Sequence, residues 1–244
     1  LDLVRDAAEV GCKLMVLPER FFQPLDAAAR DLTAALSQSA EVAKELEAMA
    51  REKGIHVACS LVTEDGGPRH TTVLWGPDGE IGRGHQVHLT DTDKAWAKAG
   101  EAFVALDTAL GRIGLMTGYD SLFSESANVL GALGCDIVVH PASWRLDWEV
   151  DYAMPERAAE SHMSVISANR MDSAVRRGSL ITTACDSRPI GAGDLNPIWP
   201  VEAPRARETL LRAQVDPSLS RRTDLLGMDV LKDRAPGLYG ALTR

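Results

Sequence analysis

At 244 residues, of which 45% are hydrophobic, the chain can bury a full core and need not be more than one domain. Its formal charge of −9 argues against a nucleic-acid groove, and no apolar run approaches the ~20 residues that cross a bilayer. The N-terminus has no signal-peptide pattern, so a cytoplasmic location is expected. Cys12, Cys59, Cys135 and Cys185 are far apart, without a C-x-x-C spacing, and lie in apolar contexts. They read as buried free thiols in a reducing compartment. The basic pairs Arg176-Arg177 and Arg221-Arg222 read as surface loops.

In chain order, residues 1–11 carry Leu3, Val4, Ala7 and Ala8 at helical spacing, with Gly11 as a stop. The chain begins inside this pattern without a methionine, which suggests a piece of a longer polypeptide. Residues 13–18 are apolar enough for a buried strand that delivers Glu19 to the carboxyl edge of a sheet. A helix is expected over 37–53, with Ser37 at its start, Leu46, Met49 and Ala50 on one face, and Gly54 beyond its end. A strand over 55–63, a turn over 64–68 and a hairpin of 71–75 with 80–87 follow. Residues 90–100 are polar and irregular, as in a loop over a site.

Strands are expected over 103–106, 112–117, 136–140, 163–168, 179–183 and 209–215, and helices over 125–133 and 148–162. Pro155 suits the first turn of a helix segment, and 194–206 reads as loop. Strands alternating with helices, with antiparallel hairpins among them, suggest two sheets faced by helices.

The stretch 111–120, Gly-Arg-Ile-Gly-Leu-Met-Thr-Gly-Tyr-Asp, organises the rest. A short strand breaks at Gly118, and a helix, with Ser124 as its expected N-cap, follows. Such a turn lies beside free backbone N–H groups and the positive end of the helix dipole, where enzymes place nucleophiles. This chain places a glycine there.

The stretch resembles the nitrilase (carbon–nitrogen hydrolase) superfamily, whose strand and turn read roughly Gly-x-Ile-Gly-x-x-x-Cys-Tyr-Asp. Without a gap, the nucleophilic cysteine falls on Gly118. The family's glutamate base, in Leu-Pro-Glu, falls on Glu19 after Leu17-Pro18. Its lysine, in Lys-Val-His-Leu, falls on Gln86 before Val87-His88-Leu89. A further match covers 136–144, and the resemblance runs from Leu1 to about residue 226. It implies a four-layer α-β-β-α sandwich, an α/β fold, over a single domain of 1–244. Because the family has a strand before the first helix, the domain is expected to lack that strand or to belong to a longer chain.

The resemblance also implies what the altered triad can do. The glutamate takes the thiol proton, the thiolate attacks a nitrile or amide carbon, and the lysine steadies the developing charge. Gly118 leaves no attacking atom, and loss of a covalent nucleophile costs about 10⁶ in rate in a comparable triad. Gln86 keeps a donor but loses the charge. Thr117 should face the other side of the strand, while Ser121 could turn inward without a base in view. Glu19 could equally pair with Arg20 or Arg112 as a structural carboxylate. His85, His88 and His140 have no ligand spacing and read as core residues; neither metal nor cofactor is expected. Tyr119, Trp144 and Asn169 match family positions near the pocket and are candidate ligand contacts with Glu19 and Gln86.

The reading that follows is a catalytically impaired nitrilase-like domain that binds a small amide, amine or carboxylate, or a protein partner. An active amidase or nitrilase with a non-standard nucleophile, and a structural dimerisation domain, are the alternatives. The resemblance implies a homodimer through helices 125–133 and 156–162, with no nucleic acid or membrane as partner.

Overall fold

The structure is a computed structural model that describes residues 2–175, 177–182, 201–204, 208–221, 224–225, 228–229 and 231–243. Two sheets meet face to face. The first contains β1 (Leu14–Val16), β2 (His56–Glu64), β3 (Pro68–Gly76) and β4 (Gly79–His85) in that spatial order, with β1 and β2 parallel. The second contains β5 (Val104–Thr108), β6 (Gly111–Leu115), β7 (Ile137–Ala142), β8 (Ser164–Asn169), β9 (Leu180–Thr182) and β10 (Val201–Glu202), ordered β10-β9-β8-β7-β6-β5. Strands β6, β7 and β8 run parallel, with Ile113 beside Ile137 and Ile137 beside Ser164.

The period-two alternation of the strands builds the layers. On β2, Val57, Cys59 and Leu61 point to one side, where they pack with Val4 and Ala7 of α1 (Asp2–Glu9). Leu46, Met49 and Ala50 of the long helix (Leu32–Lys53) complete that cluster. Ala58, on the opposite face, joins Val16, Leu74, Ile113, Leu115, Ile137 and Val139 between the sheets. On the far side, Val138 and Val165 pack against Ala127 and Leu130 of one helix (Ser124–Ala132) and Met154 and Ala158 of another (Met154–Glu160). The four-layer α-β-β-α order is therefore the observed fold.

Several elements differ from the sequence expectation. The long helix begins at Leu32 rather than Ser37, because the Asp31 carboxylate caps it by accepting from the Ala34 N–H at 3.0 Å. It ends as expected at Gly54, whose φ of 64° suits a residue without Cβ. The segment 90–100 is no plain loop: Thr90 caps a helical turn (Asp91–Lys94), and Asp93 and Trp96 are buried. Ser124 is the first helical residue and not the cap; its hydroxyl donates to Glu125. The expected strand over 209–215 belongs to neither sheet. Leu210 and Val215 are half-buried against the cores, so alternation marked core-facing side chains in a segment outside both sheets.

Residues Val201–Glu202, expected as loop, pair antiparallel with β9. Arg177 is not a surface residue: it is 8% exposed and paired with Asp147, Asp151 and Glu202. Residues 183–200 and 205–207, and with them Cys185 and most of the expected 194–206 loop, lie outside the described residues, as do Arg176 and the side chains of Arg221-Arg222.

Candidate active site

Strand β1 ends one residue before Leu17, whose N–H still reaches the Ala58 carbonyl at 2.9 Å. Pro18 then turns the chain, and the Glu19 N–H crosses to the Ala142 carbonyl at the end of β7, 3.3 Å away. Glu19 thus stands where the carboxyl ends of the two sheets meet. Arg170, just beyond β8, locks this turn: its Nη1 donates to the carbonyls of Glu19, Arg20 and Gln23 at 2.9, 2.6 and 3.0 Å.

Beyond β6 the chain forms a 3₁₀ turn (Gly118–Leu122) that opens with Gly118 at φ 47°. A Cβ built on Gly118 would lie 2.8 Å from Glu19 Oε2. Glycine is therefore required twice, by a left-handed backbone and by the carboxylate packed against its α-carbon. The Gly118 carbonyl accepts from His140 Nε2 and from the Ser121 hydroxyl, both at 3.0 Å. Since a carbonyl can only accept, His140 carries its proton on Nε2, and its Nδ1 accepts from the Ser167 hydroxyl at 3.0 Å. Burial holds the His140 imidazole down at about 4.

Gln86 follows β4 and is fully buried. Its Oε1 lies 2.7 Å from His70 Nδ1, and His70 Nε2 lies 3.2 Å from the Ser60 hydroxyl. A single assignment satisfies all three: the Ser60 hydroxyl donates to Nε2, and Nδ1–H donates to Gln86. Burial, reinforced by the Arg20 charge, pushes His70 below the usual histidine range and keeps it neutral. The arrangement leaves Gln86 Nε2 and Glu19 Oε2, a donor and an acceptor, without partners among the described residues. The Asp120 carboxylate accepts from the N–H groups of Val87 and His88, tying the Gln86 segment to the Gly118 turn.

The other candidate contacts are engaged with neighbours of their own. Trp144 is fully buried in the outer core, and its indole N–H donates to the Gly178 carbonyl at 3.0 Å. Asn169 lines a cavity of about 1050 Å³ behind the Glu19 turn. Its amide is committed to Trp144 N–H, Ser173 and the Arg177 carbonyl. Tyr119 packs edge-on to Phe123 with the Arg145 guanidinium 5.3 Å from its ring centre. No cluster of metal-ligating residues occurs among the described residues. Arg20, His70, Ser60 and Asp93 were not singled out as site residues from the sequence. The signal they offered was polar residues inside apolar strands, at Ser60 and His70.

The chain matches the carbon–nitrogen hydrolase family over residues 1–223. It belongs to that family. Among curated relatives, a nitrilase of Pyrococcus abyssi is 29% identical over 174 residues, a stretch covering 69% of this chain and 66% of the relative. The omega-amidase of Homo sapiens is 29% identical over 185 residues, again 69% and 66%. The chain thus spans just under two thirds of the curated relatives it matches. In fold it is similar to an amidase from Nesterenkonia sp., with a TM-score of 0.74 at 22% identity over 99% of this chain and 87% of that one.

The buried imidazoles give this hydrolase-family site a pH signature. His140 is neutral when folded, and an unfolded histidine binds a proton near pH 6.5. Stability should therefore fall as pH drops from about 6.5 to about 4, by up to ~3 kcal/mol from His140, with His70 adding in the same direction. Denaturant midpoints at pH 7, 5.5 and 4.5 check this, and His140→Gln should flatten the curve relative to the native chain.

Proposed function

We propose that this carbon–nitrogen hydrolase domain binds a small molecule bearing an N–H donor, an amide or an amine, and does not cleave it. The observation that carries the reading is Gly118: the atom facing the Glu19 carboxylate is an α-hydrogen, and acyl transfer needs an attacking atom. A variant of the Nesterenkonia amidase is described with acrylamide added at its active-site cysteine; the motif assigns that position here to glycine. Glu19 Oε2 is a free acceptor for a ligand N–H, and Gln86 Nε2 a free donor for a carbonyl. A carboxylate ligand would meet the like charge of Glu19, which favours amide or amine over acid.

The alternative of an active hydrolase using Ser121 is weakened by its neighbours. The Ser121 hydroxyl lies 3.0 Å from the Gly118 carbonyl and 3.2 Å from Glu149 Oε2. Glu149 in turn caps the Arg145 and Leu146 N–H groups through Oε1. These bonds make the serine a brace for the turn.

Incubated with amides, nitriles and N-carbamoyl compounds, the chain should release ammonia no faster than buffer. Amides or amines should raise its melting temperature, and Glu19→Gln should abolish that shift. Ammonia release at an enzymatic rate, lost on Glu19→Gln, would sink the proposal.

Restoring the sulfur is a separate test of the site's shape. Gly118→Cys with Gln86→Lys should yield a thiol alkylated at least tenfold faster than any native cysteine. Burial pushes Cys12, Cys59 and Cys135 up, the last to about 12, so the background is slow. The left-handed backbone and the Glu19 contact should cost this variant about 1–3 kcal/mol in urea unfolding.

We also propose a homodimer through helices 125–133 and 156–162. Support comes from Val129 and Leu133, 41% and 39% exposed on the first of these, with Trp148 and Tyr152 exposed ahead of the second. Light scattering should give twice the chain mass, and Val129→Asp with Tyr152→Asp should give the single mass; a monomeric native chain refutes this pairing.

A further inference from the structure

Arg20 is a cation that folding has carried inside. Its side chain is 2% exposed, and its backbone holds a left-handed φ of 41°, which a long side chain adopts only when its surroundings impose it. Those surroundings are explicit. The Arg20 N–H donates to the Ser60 hydroxyl at 3.0 Å, and its carbonyl accepts from Arg170 at 2.6 Å. Its Nη2 donates to Glu19 Oε1 at 3.3 Å and to Asp93 Oδ1 at 3.2 Å. The guanidinium carbon lies 5.7 Å from the Trp96 ring centre.

The charge around it does not balance without it. Glu19 and Asp93 are 0% and 1% exposed, and two carboxylates removed from water are costly unless a cation meets them. Residue 86, where the resembling family has lysine, is a neutral glutamine occupied by a neutral histidine. The other groups that face the pair do not replace Arg20. His140 on β7 is neutral, and Arg170 is spent on backbone carbonyls and Asp172. Arg145 acts on Asp93 from a distance, without an ion pair to it. Burial works against the charged form of Asp93. The neighbouring His70 ring, then the positive charge of Arg20 and the Thr90 hydroxyl, hold its carboxyl below the usual range all the same.

We propose that Arg20 is the positioning residue of this site: it supplies the positive charge that position 86 has lost and holds Glu19 as a charged acceptor with Oε2 turned to Gly118. The inference rests on reading residues 19, 86 and 118 as one site. Its test reads folding and not binding or turnover, so the two can fail separately.

The test is a double-mutant cycle of Arg20→Gln and Gln86→Lys, with urea unfolding at pH 7.5 and pH 5. Arg20→Gln should lower the folding constant at least tenfold at pH 7.5 and several-fold less at pH 5. At the lower pH the folded variant can take up a proton on a carboxylate that has lost its cation, or on His70, from which the opposing charge of Arg20 has been removed. Gln86→Lys should recover at least tenfold in the Arg20→Gln background, and less in the native one. Arg20→Lys should keep most of the native stability. An equal loss at both pH values, or an equal effect of Gln86→Lys in both backgrounds, would reduce Arg20 to packing and overturn the proposal. Should Arg20→Gln alone fail to fold, recovery of folded chain on adding Gln86→Lys reads the same coupling, and no recovery overturns it.

Discussion

The carboxylate of Glu19 and a side chain at position 118 compete for one volume. With Cβ only 2.8 Å from Oε2, either the carboxylate moves away or residue 118 has no side chain. The positive φ of Gly118 adds to this, since an L-residue there carries backbone strain that function must justify. On the proposed reading, in which no nucleophile acts here, glycine lets the turn adopt this backbone without strain and the carboxylate settle against it. The other features of the site follow from that settlement, including the free Oε2 and the hydrogen bonds that hold the Gly118 carbonyl from the far side.

What brings the two residues together is the meeting of the sheets. Glu19 leaves β1 in one sheet and Gly118 leaves β6 in the other, and the apolar interface of Val16, Ala58, Ile113, Leu115 and Val139 sets their distance. The bond from the Glu19 N–H to the Ala142 carbonyl is the stitch between the layers at that end. Buried apolar area at this interface, at about 25 cal/mol per Å², secures a geometry that the polar groups alone could not. The juxtaposition of Glu19 and Gly118 is therefore a property of the sandwich.

Much of this was legible in the sequence. The hairpin around residues 76–79, the buried strand before Glu19 and the Gly54 stop each had a local cause, and local causes can be read from neighbours in sequence. What could not be read were the bonds between distant residues. Residues 90–100 read as a loop over a site because they are polar and irregular; that Asp93 is buried follows from its partner Arg20, 73 positions away. Arg177 looked like surface because its three carboxylate partners come from other segments. Residues 209–215 had the right alternation, but burial of Leu210 and Val215 needs a core and not a neighbouring strand. The positions of Glu19, Gln86 and Gly118 came from motif resemblance. That the Glu19 carboxylate packs against the Gly118 α-carbon, and that Gln86 is bonded to His70, came only from the folded chain.

The pattern of what stays polar argues that the site was not simply abandoned. A pocket freed of function drifts toward apolar filling, because a buried carboxylate, guanidinium and imidazole each carry a desolvation cost that leucine or methionine would avoid. Here Glu19, Arg20, Ser60, His70, Gln86 and Asp93 are all at most 2% exposed, and they form one connected set. Three of its members end in atoms without partners among the described residues: the acceptor Glu19 Oε2, and the donors Gln86 Nε2 and Arg20 Nε and Nη1. A donor and an acceptor held ready at such cost make physical sense when something else completes them. An amide carries both complementary groups, an amine only the donors and a carboxylate only the acceptors.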